Sequence, residues 1–296
     1  MIEQVDKEIN KLVKEINYEE INHHLPVLMG GKRLRAKLIL TIAKDNPHAP
    51  LLGAIVEMIH SASLLHDDVI DEATIRRGRS CVNATDGSKK AIMLGDILYA
   101  KAFSSLTFFS HEIAYTLSSA VVLLSVGEMM DVELAKSFND NEQKYLEMLY
   151  LKTASLIEAS TASAALLMGD DKDAYGLYGK NLGLSFQIID DILDITSDEK
   201  TLGKPVMSDF KEGKCTLPYI YLYKALDDKA KERLKSLHAK ELSPDESLWI
   251  LNAMKKHHAI DKSFELAKRL TKEAGEAVFD NVELINILDK MIQRSY

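Results

Sequence analysis

The chain has 296 residues, of which 46% are hydrophobic and 28% are charged, which excludes a disordered chain or a collagen-like rod. Its formal net charge of −8 argues against a nucleic-acid partner. Two cysteines are too few for a disulfide framework and fit a reducing compartment, so we expect a cytoplasmic protein. The longest mostly apolar stretch, residues 113–127, is too short and too rich in Ser and Thr to predict a membrane span.

The sequence predicts an almost entirely α-helical chain. Glycine and proline are scarce, at 14 and 6 residues, and apolar residues recur at intervals of three and four, as in Leu51, Ala54 and Ile55. Breaks in this pattern fall, in chain order, at residues 24–32, 46–50, 76–90, 137–142, 169–173 and 196–218. A later helix is predicted to begin at Ser243, with Glu246 closing a capping box. No linker rich in Gly and Ser is present, so residues 1–296 are expected to form a single all-α domain.

The first break ends in two glycines followed by basic residues. Gly30 and Gly31 precede a predicted helix, and Lys32 and Arg35 are expected to share a face of its first turn. Cations at a helix start oppose the helix dipole, whereas together with the free N–H groups they would stabilise a bound anion. We therefore interpret residues 30–35 as a candidate anion site.

An acidic DDxxD pattern occurs twice, each time towards the end of a predicted apolar helix. The two clusters are Asp67, Asp68 and Asp71, and Asp190, Asp191 and Asp194. Three carboxylates within one turn repel each other and face the negative pole of the helix dipole, so a bound cation would stabilise them. Their hard oxygen ligands suit Mg²⁺, and the repeat favours a metal site over a solvated acidic helix end.

Basic and polar side chains that could contact the phosphates of a metal-bound substrate lie near both clusters or share their helix faces. These are His60, Arg76, Arg77, Lys152, Gln187, Lys204 and Lys214. Each one alone also fits a solvated or structural role. Together with the paired clusters they favour a phosphate site.

These motifs resemble the trans-isoprenyl diphosphate synthases, or polyprenyl synthetases. The similar segments are GGKRLR (30–35), HSASLLHDDVIDEATIRRGR (60–79), GDILYAKAF (95–103), KTASLIEAS (152–160), FQIIDDILD (186–194) and GKPVMSDFKEGKCTLP (203–218). The resemblance implies an all-α bundle around a deep central cavity, usually as a homodimer. It also implies a prenyltransferase that joins isopentenyl diphosphate to an allylic primer such as farnesyl or geranyl diphosphate.

The resemblance further implies a role for each candidate residue. About three Mg²⁺ ions would be bound by Asp67, Asp71 and Asp190, helped by Asp68, Asp191 and Asp194. The isopentenyl diphosphate site is matched by Lys32, Arg35, His60 and Arg77. Contacts to the allylic diphosphate are matched by Arg76, Lys152, Lys204 and Lys214. Oxygens facing the developing carbocation are matched by Thr153 and Gln187.

Two small residues before the first cluster bear on product length. Ala62 and Ser63 precede Asp67 by about one helical turn, and in this family bulky aromatic residues at these positions stop the product short. We therefore expect a long-chain product of about 30–40 carbon atoms, used for respiratory quinone side chains, because small residues leave the space open. Candidates for the floor of the tail cavity are Phe103, Phe108 and Phe109. The alternatives are a geranylgeranyl or farnesyl diphosphate synthase, a terpene cyclase, and a non-catalytic subunit of a two-chain synthase.

Overall fold

The computed structural model describes residues 2–28, 30–196 and 207–293. Contacts divide the chain into two compact units. Unit 1 comprises Met1–Val121 and Ala159–Gly176, and unit 2 comprises Val122–Glu158 and Leu177–Tyr296. The structure is 79% helical with almost no strand, which confirms the all-α prediction. That residues 1–296 form a single domain stays a prediction.

Most helices lie between the breaks predicted from the sequence, but two short helices, Val82–Asp86 and Ser208–Lys211, lie inside predicted breaks. Unit 1 contains α1 (Ile2–Glu15), α2 (Glu19–Leu28), α3 (Leu34–Ile42), α4 (Ala49–Ile70), α5 (Val82–Asp86) and α6 (Ser88–Leu106). Residues of both units occur in α7 (His111–Ala135), α9 (Ser155–Met168) and α10 (Lys172–Thr196). Unit 2 also contains α8 (Glu142–Leu149), the π-helical turn Tyr150–Ala154, α11 (Ser208–Lys211), α12 (Leu217–Ala225), α13 (Asp228–Ser236), α14 (Pro244–Lys256), α15 (Ala259–Ala277) and α16 (Val282–Ile292).

Helix α4 is the core helix of unit 1 and carries the first aspartate cluster at its end. It is apolar on nearly every face as far as Leu65, and it packs against α1, α3 and α6. Gly53 allows close packing, since a Cβ there would lie 3.2 Å from Val5 Cγ2 and 3.5 Å from Ala36 Cβ. Because α4 is held by this packing, the position of the aspartates at its end is fixed.

A two-stranded hairpin follows the first cluster, and the helical pattern of the sequence does not predict it. Strand β1 (Ile75–Arg76) pairs antiparallel with β2 (Arg79–Ser80). The turn residues Arg77 and Gly78 have φ of 54° and 73°, and a type I′ hairpin turn requires φ to be positive at both positions. Gly78 adopts this conformation freely, whereas Arg77 is strained.

An aromatic pair lies in the core of unit 2. Phe210 of α11 stacks on Tyr219 of α12, with ring centroids 4.2 Å apart, and Ile195 of α10 joins the same cluster. Because Ile195 directly follows the second aspartate cluster, this packing anchors the end of α10. The predicted start of α14 is confirmed, with a capping box between Ser243 and Glu246.

By length and composition alone, α4 and α7 are apolar enough to cross a membrane. The most apolar window of α4 is 72% buried, as expected of a core helix, whereas that of α7 is 39% buried. Helix α7 has 25 residues and so extends beyond the apolar stretch considered in the sequence. It presents an apolar face at the surface of the chain.

Candidate active site

A buried carboxylate holds the glycine-rich turn of residues 30–35. Helix α3 begins after Lys32, so the expectation that Lys32 and Arg35 share its first turn was wrong. Arg33, at the N-cap with φ 52°, makes no capping hydrogen bond. Instead the carboxylate of Glu57 accepts from the Ala36 N–H at 3.0 Å and from Arg33 Nη1 at 3.2 Å. Glu57 therefore caps α3 and orients the turn that presents Lys32.

Arg35 and Arg77 place two positive charges near His60 in unit 1. The Nε of Arg35 is buried and has no hydrogen-bond partner within the described part of the chain. Burial, together with the positive charges of Arg35 and Arg77, holds the pKa of His60 well below its ordinary value. His60 is therefore neutral at pH 7, and an anion bound here would relieve the repulsion between the guanidinium groups.

Arg77 lies directly against the glycine turn. Its Nη1 donates to the Gly30 carbonyl at 2.5 Å. Gly31 has φ +119°, which L side chains rarely adopt, and a Cβ there would lie 2.2 Å from Arg77 Nη1, so a larger residue would strain the turn and displace the guanidinium. A cavity of about 230 Å³ opens beside this contact, and its charged lining residues are Asp68, Arg76, Arg77 and Arg79. This lining is net basic, which suits an anion.

The first aspartate cluster lies at the end of α4, as predicted. Asp67 is half-buried, Asp71 is exposed at the helix C-cap, and Asp68 is buried. Arg76, which the resemblance matches to an allylic diphosphate contact, forms an ion pair with the cluster, with its Nε 2.5 Å from Asp68 Oδ1. Asn83 donates to the backbone carbonyl of Asp68 at 2.8 Å and holds the end of the helix.

The second cluster does not repeat the geometry of the first. Asp190 is exposed, whereas Asp191 and Asp194 are buried. Asp194 accepts from the Ser208 hydroxyl at 2.7 Å and from the Asp209 N–H at 3.2 Å, so it caps the short helix α11. Burial and the nearby charge of Asp209 raise the pKa of Asp191 well above its ordinary value. Asp190 is thus the carboxylate of this cluster that faces solvent.

A chain of hydrogen bonds links Asp191 to Thr153 within unit 2. Gln187 Nε2 donates to Asp191 Oδ1 at 3.2 Å, and the Thr153 hydroxyl donates to Gln187 Oε1 at 3.4 Å. The Tyr145 hydroxyl donates to Asp191 Oδ2. Thr153 and Gln187, the two residues matched to the carbocation, are therefore neighbours.

Lys152 lies between two buried carboxylates of α7. Its Nζ is 2.5 Å from Asp131 Oδ2 and 2.9 Å from Glu128 Oε2. Burial by itself would lower the pKa of Lys152, but the two carboxylates outweigh it and raise the pKa above its ordinary value. The amine is therefore charged and already oriented.

Lys152 and Thr153 belong to the π-helical turn Tyr150–Ala154, between α8 and α9. A Cβ at Gly127 of α7 would lie 2.3 Å from the Lys152 backbone nitrogen, and one at Gly183 of α10 would lie 2.7 Å from Ala154 Cα. Two glycines therefore let two helices pack against this turn. Single π turns within α-helices are frequent at functional sites.

The last of the predicted diphosphate contacts are two lysines that follow the second cluster. Lys214 Nζ lies 2.9 Å from Glu212 Oε2. Lys204 lies outside the described residues.

The two positions matched to product length are buried, but two of the three phenylalanines expected to close the tail cavity are exposed. Ala62 and Ser63 are buried in α4, and the Ser63 hydroxyl donates to the His60 carbonyl at 2.9 Å. Phe103 and Phe108 are 36% and 77% exposed, so the expectation that they close the cavity inside the chain was wrong. Phe109 lies edge-on to His48.

Sequence reasoning missed the carboxylates that hold the cationic groups, as well as Tyr145. Glu57, Glu128 and Asp131 are all buried in mainly apolar helices. A charged residue within such a helix is rarely buried without a partner, and that signal could have identified all three. Tyr145 carries no comparable signal, because a buried tyrosine is common.

The sequence model of the polyprenyl synthetase family matches residues 17–254. The chain is 39% identical over 276 residues to a geranylgeranyl diphosphate synthase of Sulfolobus acidocaldarius, covering 88% of this chain and 83% of that protein. The crystal structure of an octaprenyl pyrophosphate synthase from Helicobacter pylori is 42% identical, with a TM-score of 0.91, covering 99% of this chain and 97% of that one. A polyprenyl synthase of Caulobacter crescentus, solved with calcium and isoprenyl diphosphate, is 28% identical with a TM-score of 0.86, covering 100% of this chain and 98% of that one.

The chain belongs to the polyprenyl synthetase family, which confirms the resemblance drawn from the motifs. It is a trans-prenyl diphosphate synthase, a prenyltransferase of all-α fold. The names of its relatives span geranylgeranyl to octaprenyl products, so they do not fix the product length.

Enzymes of this family use a divalent metal, and the carboxylates described above fit one. Within residues 2–28, 30–196 and 207–293, no three metal-ligating side chains converge to form a site by themselves. Asp67, Asp71 and Asp190 are half-buried or exposed, so their oxygens are accessible. Mg²⁺ accepts such sites because one or two carboxylates suffice when substrate phosphates and water complete its shell.

Proposed function

We propose that this enzyme is a long-chain polyprenyl diphosphate synthase that makes products of about 30–40 carbon atoms for respiratory quinone side chains. The observation that carries this proposal is the pair of small residues, Ala62 and Ser63, on the core helix α4 one turn before Asp67. The Ser63 hydroxyl is satisfied within its own helix, so it does not oppose an apolar tail.

A shallower cavity would make the enzyme a geranylgeranyl or farnesyl diphosphate synthase. The geranylgeranyl name of the Sulfolobus relative favours this second candidate. A non-catalytic subunit is disfavoured, because all six aspartates of the two clusters are present.

In the proposed reaction the C–O bond of the allylic diphosphate breaks and its electron pair leaves with the diphosphate. Mg²⁺ bound by Asp67, Asp71 and Asp190, about three ions in the family pattern, would neutralise that leaving group. Lys152 adds a preoriented positive charge, because Glu128 and Asp131 already hold its amine.

The double bond of isopentenyl diphosphate then attacks the allylic carbon and forms the new C–C bond. Lys32, Arg35, His60 and Arg77 bind its diphosphate, and the anion meets a neutral His60 and the buried Nε of Arg35. The oxygens of Thr153 and Gln187 stabilise the positive charge that develops on carbon. The released diphosphate accepts the proton lost when the new double bond forms.

Product analysis tests this function. Purified protein is incubated with Mg²⁺, farnesyl diphosphate and excess labelled isopentenyl diphosphate, and the dephosphorylated products are sized. We expect a main product of about 30 carbons or more, because the tail meets no bulky side chain at Ala62 or Ser63. A product that stops at about 20 carbons makes the second candidate correct.

Two variants with a matched control sharpen this test. Ser63→Phe is expected to shorten the product, whereas Leu51→Phe adds the same ring more than three turns earlier on α4 and is expected to leave the length unchanged. Asp67→Ala is expected to abolish elongation, and full activity in that variant would contradict the metal assignment.

We also propose that the enzyme is a homodimer joined through α7. Tyr115, Val122, Val126 and Met129 are exposed and follow one stripe with intervals of seven, four and three residues. Such a stripe suits the same helix of a second copy. We expect light scattering to give twice the 33.1 kDa chain mass, with Met129→Glu shifting the protein towards monomer and the surface control Leu248→Glu leaving it a dimer. A monomeric wild type would refute this arrangement.

A further inference from the structure

Tyr145 is a buried tyrosine close to the reacting groups of unit 2. It lies on α8, the helix before the π-helical turn, and is 3% exposed. Its hydroxyl donates to Asp191 Oδ2, and Asp191 is itself buried. A buried carboxylate and a buried hydroxyl are both costly to leave unpaired, so each stabilises the position of the other.

The second oxygen of Asp191 determines how the Gln187 amide is turned. Asp191 Oδ1 accepts from Gln187 Nε2 at 3.2 Å. An amide has its donors on one end and its acceptor on the other, so this contact directs Gln187 Oε1 to the opposite side. There Oε1 lies 3.4 Å from the Thr153 hydroxyl.

We infer that Tyr145 is a positioning residue for the condensation. It holds Asp191, Asp191 holds the Gln187 amide, and the amide oxygen is thereby kept next to Thr153. The inference rests on the proposed function, in which the oxygens of Thr153 and Gln187 face the developing positive charge.

Loss of the Tyr145 hydroxyl frees Asp191 to rotate and weakens its hold on Gln187. An amide that turns over presents its N–H groups where an oxygen is needed, and the N–H dipoles repel a developing cation. Removing a group that directly faces developing charge lowers kcat by a factor on the order of 100–1,000. Because Tyr145 acts through two intervening groups, we expect a loss of about tenfold.

The first experiment compares Tyr145→Phe with Tyr221→Phe. Tyr221 also donates to a carboxylate of unit 2, Glu142, at 2.8 Å, so the control loses a similar hydrogen bond elsewhere. We expect Tyr145→Phe to lower kcat about tenfold with KM for isopentenyl diphosphate unchanged, and Tyr221→Phe to keep wild-type kcat. Equal kcat in all three proteins, or equal losses in both variants at equal drops in melting temperature, would overturn the inference.

A double-mutant cycle tests whether Tyr145 acts through Gln187. Gln187→Met keeps the length of the side chain and removes its hydrogen bonds. In that background we expect Tyr145→Phe to lower kcat less than twofold, because the amide to be positioned is already gone. Fully additive losses would show that Tyr145 acts by another route.

A crystal structure of Tyr145→Phe tests the network without activity. We expect the Gln187 amide to rotate away from Asp191, and an unchanged contact would overturn the inference. This separates the two proposals, since a wild type that makes no product refutes the function while the crystal structure still decides the network.

Discussion

Replacing Gly127 with alanine should displace the π-helical turn without removing any side chain that acts in the reaction. The new Cβ would lie 2.3 Å from the backbone nitrogen of Lys152, against an ordinary contact of 3.4 Å or more, so the turn must move by about 1 Å. A misplacement of that size can lower kcat by about 100-fold. Alanine also has the higher helix propensity, by up to about 1 kcal/mol, so a simple loss of helix stability is not expected.

The matched control is Gly275→Ala in α15, where the new Cβ would lie 3.7 Å from Leu288 Cδ1, an ordinary contact. Both variants are assayed by steady-state diphosphate release and by thermal unfolding. We expect kcat to fall 10- to 100-fold in Gly127→Ala and to stay at the wild-type value in the control. A Gly127→Ala enzyme that is folded and fully active would refute the idea that the turn needs this close approach.

Three further predictions concern unit 1. Gly31→Ala should raise KM for isopentenyl diphosphate at least about tenfold, because its Cβ would displace the Arg77 guanidinium; an unchanged KM in steady-state kinetics would contradict this. His60→Gln should reduce the loss of stability on acidification. The folded protein holds the pKa of His60 below the unfolded value of about 6.5, so the unfolded chain binds the proton more readily. The stability of the wild type therefore falls as the pH drops below about 6.5. Urea unfolding of both proteins from pH 7.5 to 5 tests this, and the same dependence of unfolding free energy on pH in both proteins would count against it. Glu57→Gln should lower the free energy of unfolding by about 1–3 kcal/mol, because Arg33 and the N–H of α3 lose a charged acceptor; an unchanged urea midpoint would argue against the cap.

The helical class and the ends of α4 and α10 could be predicted from the sequence, because both depend on local patterns. Apolar residues at helical spacing lead into each aspartate cluster, and each helix ends within a few residues of it, α4 at Ile70 and α10 at Thr196. The β-hairpin could not be predicted in this way. It depends on Arg77 adopting a positive φ, and arginine has no local preference for that conformation.

The different burial of the two DDxxD clusters could not be predicted either, because it also depends on residues outside the local pattern. Asp71 ends its helix exposed, whereas Asp194 is buried by the residues of α11, which follow it by more than ten positions. The π-helical turn likewise depends on Gly127 and Gly183, both distant in sequence from Lys152. These contacts are set by tertiary packing, which a local pattern does not contain.

Helix α4 sets the spacing between several functional groups of the enzyme. Glu57, His60, Ser63, Asp67 and Asp71 follow one another along it, over about 21 Å at 1.5 Å per residue. Inserting a single residue into this span would rotate the side chains after the insertion by about 100° relative to those before it. Groups that must act together would then lie on different faces of the helix. A change in product size in this enzyme is therefore expected from the bulk of individual side chains on α4 rather than from a change in the length of the helix.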